Sequence, residues 1–544
     1  MKKITLILAV SLFATADLVA QSIQEGINYM YAERYKSAKA NFEKMLVASP
    51  NNAEATYWLG QAEIEMENVA AAKTVYANAL LANANAPLIL VGIGQIKLIE
   101  SNMEDARQHF ETAITVSRTR KGDDANILNA VGRANVNSKK GNFHYAIEKL
   151  KAAVERDGKN PDIYFNLGNA YRKVLDGSNA VVNYKNALTI NPNFAVAYYR
   201  MAKIYQTQQN WEVFVRELED AVAKDPKFGP AYYELYEYNF LSQKYDIAET
   251  NLKKYLENTD ADIQNDYYYA QLLWKKKDFQ GAIGKALNII NTLGPKAKAR
   301  PYKLIAYSYL DMGDTLNAKK AVDDYFDKEK PENIIAMDYK LKADVLTGTG
   351  SHDSEVFKAY VTGAKIDTVE SSKIEFLNQG VEYFKNKNKK IPEAEMRLVV
   401  YATRTKKYPT DYFYIGLPFY FGKAFDRADS VFKLYSQAFP DSIFGYLWSA
   451  RSLAAIDTNM TRGLAIAEYE KTMQISLKDT GRFKNYGIEA CGQMAGYYNN
   501  VLGDKEKAIY YLRKGLEFDP GNAPILQSLL VLEKAAIKQP PKKG

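Results

Sequence analysis

Alanine recurs along this 544-residue chain at a spacing of 34 residues in two runs. The anchor positions are Ala38, Ala72 and Ala106 in the first run and Ala146, Ala180, Phe214, Ala248 and Ala282 in the second, where Phe214 is the one residue that is not alanine. A bulky apolar residue stands four positions after most anchors and a small residue often follows three positions later, which places all three on one helical face. A single core stops growing at roughly 250 to 300 residues, whereas a period of this length is typical of stacked helical hairpins. The spacing therefore predicts a one-dimensional stack of two-helix units.

A second small residue lies twelve positions before the anchor in most units. It occurs as Gly26, Gly60, Gly94, Ala134, Gly168, Ala202, Ala270, Ala306, Gly416 and Gly496. An extra methylene in a tight helix contact costs about 1 to 3 kcal/mol. We therefore expect the second helix of each hairpin, helix B, to cross the first, helix A, closely at this position.

Prolines and capping residues predict where helices end and begin. A proline follows helix B in several units, at Pro50, Pro192, Pro226, Pro440 and Pro520. The polar residues after three of them are Asn52, Asn193 and Asp441, and we expect each to cap the next helix. Helix B is further marked by an aromatic residue three positions before the anchor, as at Tyr35, Phe143, Trp211, Tyr245, Phe279 and Phe425.

These features together resemble the tetratricopeptide repeat. The unit that matches the family consensus best carries Tyr164, Leu167, Gly168, Tyr171, Ala180, Tyr184, Ala187 and Pro192. More degenerate units continue with anchors near Ala318, Phe357, Ala394, Ala428, Ala465 and Ala508. The resemblance implies an all-α fold, a right-handed superhelical solenoid of about fourteen helix-turn-helix units.

The regularity of the spacing divides the chain. We predict a signal peptide over 1–20, a regular array over 21–294, a divergent array over 295–520, and a cap helix with a basic tail over 521–544. Insertions that lengthen the spacing predict polar loops at 117–124, 348–353, 385–392, 457–462 and 476–481.

The N-terminus has the pattern of a secretory leader. Two lysines precede an apolar run from Ile4 to Ala16 that is too short to span a bilayer. Cleavage fits after Ala16 or after Ala20. No later segment approaches the roughly 20 apolar residues of a membrane helix. We therefore expect an exported chain without a transmembrane segment in its mature part, located in the periplasm or at the outer membrane of a Gram-negative envelope, or secreted.

Residues for catalysis and metal binding are scarce. The chain has three histidines, His109, His144 and His352, none of them in a metal-ligand spacing, and a single cysteine, Cys491. No phosphate-binding glycine loop occurs. Lysine and arginine alternate with acidic residues along the helices, unlike the basic face of a nucleic-acid binder. The sequence predicts a protein that is not an enzyme, with no metal site, no cofactor and no nucleic-acid partner.

Binding is predicted on the concave side of the solenoid, which the family resemblance assigns to helix A. The groove-facing positions of three successive units begin with Val131, Asn135 and Ser138, continue with Phe165, Asn169 and Arg172, and end with Tyr199, Lys203 and Gln206. Amide side chains can hold an extended peptide backbone, and cations can pair with carboxylates. The interpretation is a scaffold that binds partner proteins or extended peptides in a cell-envelope assembly such as secretion, motility or outer-membrane machinery.

Two aromatic bands leave an alternative open. The first combines Tyr233, Tyr267, Tyr268, Gln271 and Trp274, and the second combines Phe413, Tyr414 and Tyr420. Aromatic rings stack on sugar faces as well as on protein side chains. The alternative hypothesis is an envelope protein that binds a glycan or peptidoglycan, with Tyr267, Gln271 and Trp274 in its site.

Overall fold

The computed structural model describes residues 23–537, and 78% of the chain is helical. The predicted leader over 1–20 and the basic tail from Lys538 onward lie outside the described residues. Within the described range there is no β-strand, only one isolated bridge between Thr119 and Gly122. The prediction of an all-α fold is confirmed.

The chain divides into two compact units, residues 1–297 and 298–544. The described part of the first unit contains α1 (23–31), α2 (Tyr35–Ala48), α3 (Ala53–Glu65), α4 (Val69–Ala82), α5 (Pro87–Ile99), α6 (Met103–Ser117), α7 (Ala125–Asn137), α8 (Phe143–Arg156), α9 (Pro161–Lys173), α10 (Gly177–Ile190), α11 (Ala195–Thr207), α12 (Trp211–Lys224), α13 (Gly229–Leu241), α14 (Tyr245–Glu257), α15 (Asp266–Lys275) and α16 (Phe279–Leu293). Successive odd and even helices pack as antiparallel pairs, which gives eight hairpins.

The described part of the second unit continues the same pattern. It contains α17 (Arg300–Asp311), α18 (Thr315–Lys328), α19 (Ala336–Gly348), α20 (Asp353–Ile366), α21 (Glu370–Asn386), α22 (Lys390–Thr403), α23 (Pro409–Phe421), α24 (Phe425–Ala438), α25 (Ile443–Ile456), α26 (Ile466–Ser476), α27 (Lys484–Asn500), α28 (Lys505–Phe518) and α29 (Ala523–Ile537). Six hairpins precede the single helix α29. With the eight of the first unit, residues 23–537 form the fourteen hairpins that the spacing predicts.

A glycine in helix A and an aromatic ring sixteen residues later in helix B hold many hairpins together. A Cβ atom on Gly60 would lie 2.2 Å from the Tyr76 ring, and one on Gly168 would lie 2.6 Å from the Tyr184 ring. Gly26, Gly94 and Gly416 meet Phe42, Phe110 and Phe432 in the same way. The rings are fully or almost fully buried, so the missing side chain is what lets the helices approach.

Gly496 is an exception to this pattern. No atom lies within 4 Å of where its Cβ would be, so the predicted close contact is absent there. Helix α27 has 17 residues and is buried through Gly487, Ala490 and Cys491 instead. Because the helix is longer, the residue twelve positions before the anchor no longer lies on its buried face.

Two predicted anchors of the divergent part are wrong. Phe357 is only half-buried, and the fully packed residue is its neighbour Val356, three positions after the start of α20. Ala465 precedes α26, whose corresponding residue is Tyr469. In both cases an insertion before helix B changes the spacing, so a fixed period cannot locate the helix start.

The caps follow the prediction only in part. Asn52 accepts a hydrogen bond from the Ala55 backbone N–H at 2.9 Å and caps α3, as expected. Asn193 caps nothing, because α11 begins two residues later and Phe194 occupies its N-cap. Asp441 is likewise displaced by Ser442 at the N-cap of α25. The predicted loop 385–392 is also too long, since α22 already begins at Lys390.

The first unit closes on itself between its first and seventh hairpins. The Asp260 carboxylate, in the loop after α14, accepts hydrogen bonds from the backbone N–H groups of Lys36 at 2.7 Å and Ser37 at 3.3 Å. The Ser37 hydroxyl donates to the same carboxylate at 2.5 Å, and the Arg34 guanidinium lies 3.7 Å from it. Arg34, at the N-cap of α2, offers no side-chain cap, so Asp260 supplies the cap from 223 residues away.

Over residues 23–537, no helix has the length and apolar composition required to cross a bilayer.

Candidate binding groove

A partly open cavity of about 780 Å³ lies inside the turn of the first seven hairpins of the first unit. Its wall is formed mainly by A helices and by the loops that lead into them. Polar side chains predominate, and those that line it include Gln24, Asn28, Glu54, Asn126, Asn129, Arg133, Asn160, Asp162, Asn191 and Asn193. The volume is in the range of ligand-binding sites, although the wall is more polar than most.

Asp162, in the first turn of α9, is the polar centre of this wall. Its Oδ2 atom accepts hydrogen bonds from Asn129 Nδ2 at 2.6 Å, Arg133 Nη1 at 3.1 Å and Asn166 Nδ2 at 3.2 Å. Burial raises the pKa of Asp162 to about 7, while the hydrogen bond from Asn166 acts in the opposite direction. The carboxylate therefore depends on these donors for its charge.

Arg133 is held between this carboxylate and two aromatic rings. Its guanidinium lies 4.2 Å from the centre of the Trp58 ring, and Nη2 donates to the Tyr57 hydroxyl at 3.3 Å. The buried Nε atom has no hydrogen-bond partner. Stacking on aromatic faces fixes the planar group in one orientation.

Tyr31, the last residue of α1, reaches across the turn to the fifth and sixth hairpins. Its ring is perpendicular to those of Phe165 and Phe194, with centroids 5.5 and 5.3 Å away. Its hydroxyl donates to Oδ1 of Asp162, and this is the one bond that the structure shows for Oδ1 among residues 23–537. We call Asp162, Phe165 and Phe194 the Tyr31 cradle.

A second cavity of about 250 Å³ lies on the other side of Tyr31. Arg172, Lys173 and Arg200 line it, and within the described part of the chain neither arginine has a carboxylate within 4 Å. The mutual repulsion of these cations, together with burial, lowers the pKa of Lys173. Glu65 faces the same space, and burial raises the pKa of its carboxyl.

The predicted groove residues fall into two groups. Asn135 and Ser138 are buried, and they bond to the carbonyls of Val131 and Ala134 in their own helix. Asn169 accepts a hydrogen bond from the Tyr184 hydroxyl at 2.7 Å. These polar groups are thus engaged within the hairpins.

Asn169 also lines the second cavity, and the remaining predicted residues of these units differ in their surroundings. Phe165 belongs to the Tyr31 cradle and Arg172 lines the second cavity. Tyr199 is buried against Phe228. Lys203 pairs with Glu234 at 2.7 Å, and Gln206 lies 3.5 Å from the same carboxylate.

The first aromatic band mostly joins neighbouring helices. Tyr233 packs against Tyr268 with ring centroids 5.2 Å apart. The Gln271 amide lies 3.4 Å from the Tyr267 hydroxyl, and the Lys275 ammonium lies 4.4 Å from the centre of the Trp274 ring.

The second aromatic band, in the second unit, also packs between helices for the most part. Phe413 and Tyr420 both contact the Trp448 ring, while Tyr414 is 55% exposed.

Sequence reasoning missed Tyr31, Asn129, Arg133 and Asp162. A weak signal exists, because Asn129 and Arg133 are four residues apart, as are Asp162 and Asn166, and each pair lies on one face of an A helix. The contact with Tyr31 spans 131 residues and has no counterpart in a pattern of local spacing.

The described residues contain no group of three or more histidine, cysteine or acidic side chains placed to hold a metal ion. Cys491 is buried, and burial raises the pKa of its thiol to about 12. At neutral pH the thiol is therefore protonated.

The geometry defines a class: a solenoid of helical hairpins whose A helices surround a polar groove. Family models described as tetratricopeptide repeat match residues 29–90 and 60–125, and one described as TPR repeat matches residues 134–174. Residues 29–125 and 134–174 thus match tetratricopeptide repeats, which supports a tetratricopeptide repeat protein. Proteins built from this repeat generally act as scaffolds for protein interactions and are typically not catalytic.

The similarity to an individual curated protein is low and covers only part of the chain. The DnaJ homolog subfamily C member 7 homolog of Dictyostelium discoideum is 25% identical over 212 residues, which cover 36% of this chain. The chain spans 39% of the length of that relative.

Two solved structures are similar to parts of this chain. The C-terminal part of a TPR repeat-containing protein from Cytophaga hutchinsonii is 25% identical and covers 48% of this chain and 99% of its own, with a TM-score of 0.27. A tetratricopeptide repeat protein from Parabacteroides merdae is 19% identical and covers 47% and 97%, with a TM-score of 0.35.

Proposed function

We propose that this protein is a non-catalytic scaffold that holds an extended segment of a partner protein in the groove of its first unit. The observation that carries the proposal is the cavity of about 780 Å³ with amide side chains from A helices and from the loops that lead into them. Asn126, Asn160 and Asn193 present donors and acceptors that suit the backbone of an extended peptide. Glu54 and Arg133 add charges of both signs, which favours a polar peptide over an apolar ligand.

A photo-crosslinking amino acid in the groove tests this proposal. Asn126 lines the cavity and is exposed, so its replacement should leave the fold intact. Leu81, 88% exposed on helix B of the second hairpin, is the matched control position. We expect irradiation of cells that express the full chain to give partner adducts from position 126 and none from position 81. Equal adducts from both positions, or adducts from position 81 alone, would contradict a groove site.

We further propose that the scaffold works in a cell envelope, as part of a secretion, motility or outer-membrane assembly. The support is the leader-like segment that begins Met1-Lys2-Lys3, which lies outside the described residues. Sequencing the N-terminus of the mature protein and fractionating the cells provide the test. A chain that retains Met1 and remains in the cytosol would rule out this location.

Binding of a glycan is the outcome that would replace the peptide proposal. It predicts that the full chain is retained on insoluble peptidoglycan, and that Tyr267→Ala and Trp274→Ala reduce the retained fraction. The partner-protein proposal predicts no retention and no effect of these two variants on the adducts from position 126.

A further inference from the structure

The Tyr31 cradle has the character of a binding site that the chain itself fills. Two perpendicular rings and one carboxylate oxygen surround the Tyr31 side chain, and all three groups come from hairpins far along the chain. Edge-to-face contacts of this kind contribute about 0.5 to 1.5 kcal/mol each beyond the area that they bury. The cradle lies in the wall of the large cavity, where the proposed partner would lie.

The cradle is organised without help from Tyr31. Asn129, Arg133 and Asn166 all donate to Oδ2 of Asp162, which fixes the carboxylate. Phe165 and Phe194 also contact each other, with centroids 5.4 Å apart at 73°. Only Oδ1 of Asp162 depends on the Tyr31 hydroxyl for its hydrogen bond within the described structure.

The chemistry of the cradle selects a phenol. A lysine or arginine in the place of Tyr31 would meet the Arg133 guanidinium, which already lies 3.1 Å from the same carboxylate. A phenylalanine would satisfy the two rings but leave Oδ1 of the partly buried Asp162 without the hydrogen bond that the hydroxyl donates. A tyrosine side chain satisfies both parts of the site.

We propose that Tyr31 is an intramolecular occupant of a site for a tyrosine side chain of the partner, and that the partner displaces it. This inference rests on the proposed function, because it places the tyrosine within the groove-bound segment. Tyr31 is the last described residue of α1, directly before the turn into α2, so its side chain can leave the cradle by a local movement at the helix end.

A peptide library displayed on phage tests which side chain the site takes. The full chain is used as wild type, as Tyr31→Ala, and as Tyr31→Ala with Asp162→Asn. We expect tyrosine-containing heptapeptides to be enriched on Tyr31→Ala, and to bind the wild type more weakly by about tenfold or more, because Tyr31 competes for the site. The tyrosine preference should be lost with Asp162→Asn. Enrichment of phenylalanine or leucine in place of tyrosine, or of no motif, would overturn the proposal.

Displacement is tested on the chain with Tyr31 replaced by meta-fluorotyrosine. We expect the fluorine NMR signal to move to its solvent position when the selected peptide is added, and to stay unchanged with the same peptide carrying phenylalanine for tyrosine. An unchanged signal at saturating tyrosine peptide would overturn displacement. Circular dichroism melting confirms that each variant is folded. Should Tyr31→Ala unfold, Tyr31→Phe takes its place, and it is expected to bind the peptide more tightly than the wild type.

The two proposals can fail separately. Partner adducts at position 126 without any tyrosine preference would contradict the cradle alone. A tyrosine preference in the library with no adducts at position 126 in cells would contradict the partner-binding function.

Discussion

Gly168 determines how closely α9 and α10 can approach each other. A side chain at this position would overlap the Tyr184 ring, which is fully buried. We expect Gly168→Leu to lower the free energy of unfolding by about 1 to 3 kcal/mol or more, because the helices must move apart. Differential scanning calorimetry of the full chain measures the effect.

Gly284 provides the matched control for this substitution. It lies in α16, and nothing occupies the space within 4 Å of its missing Cβ. Gly284→Ala should raise the stability by up to about 1 kcal/mol, because alanine favours the helix. Equal effects of the two substitutions on stability would mean that the Tyr184 contact does not explain the role of Gly168.

Asp162 should make the first unit less stable as the pH rises. Burial raises its pKa in the folded state to about 7 from an ordinary value of 3.8, so the folded chain binds more protons between these values. Its contribution to stability is therefore complete below about pH 4 and is lost as the pH rises to about 7. Because one pKa unit corresponds to about 1.4 kcal/mol, the loss is at most about 4 kcal/mol.

Urea denaturation at several pH values measures this dependence. The Asp162→Asn variant should show a flatter profile than the wild type between pH 4 and 7. A wild-type profile that rises over the same range and is flattened by the substitution would contradict the raised pKa.

Contacts at a fixed spacing could be predicted from the sequence, whereas long-range contacts could not. Gly60 and Gly168 could be predicted because their partners Tyr76 and Tyr184 follow at a fixed spacing of sixteen. The contact between Tyr31 and Asp162 could not be predicted, because it depends on the curvature of the whole stack of hairpins between them. Asn135 shows the same limit, since a groove-facing position in the family pattern is bonded here to its own helix.

Among the elements, α2 is the one whose N-terminus depends on a distant part of the chain. Removal of a capping side chain costs about 0.5 to 2 kcal/mol. We expect Asp260→Ala to destabilise α1 and α2 by this amount, because the backbone N–H groups of Lys36 and Ser37 lose their acceptor. Amide hydrogen exchange over 23–48 should become faster.

Asn52→Ala serves as the comparison. Asn52 caps α3 within its own hairpin, so its removal should speed exchange at the start of α3 and leave 23–48 nearly unchanged. If Asp260→Ala affected only the loop around residue 260, the closure would have no part in the stability of α2.

The helices themselves were predictable in number but not everywhere in position. The period of 34 places most helices of the first unit well, because the turn between helix A and helix B has three residues in every described hairpin there except α7–α8, where it has five. Helices α20 and α26 follow insertions, and their anchors at Val356 and Tyr469 cannot be read from the period. Burial at these positions is decided by where the helix starts, which the loop before it determines.

On the scale of the whole molecule, the two compact units should unfold separately. Gly168 lies in the first unit, and Gly416 lies in the second, where a Cβ atom would be 2.4 Å from the Phe432 ring. We expect two calorimetric transitions, with Gly168→Leu shifting one of them and Gly416→Leu the other. A single transition that both variants shift equally would show one cooperative block.

The contact of Asp260 with the start of α2 changes what kind of repeat array the first unit is. A linear array frays from its ends, and its stability is close to a sum of neighbouring terms. Here the first hairpin is tied to the seventh, so its end is not free. Folding must close a loop of more than two hundred residues before that tie forms, which raises the contact order and favours slow, late docking. Removal of the seventh hairpin would therefore also destabilise the first hairpin, which would then have a free end.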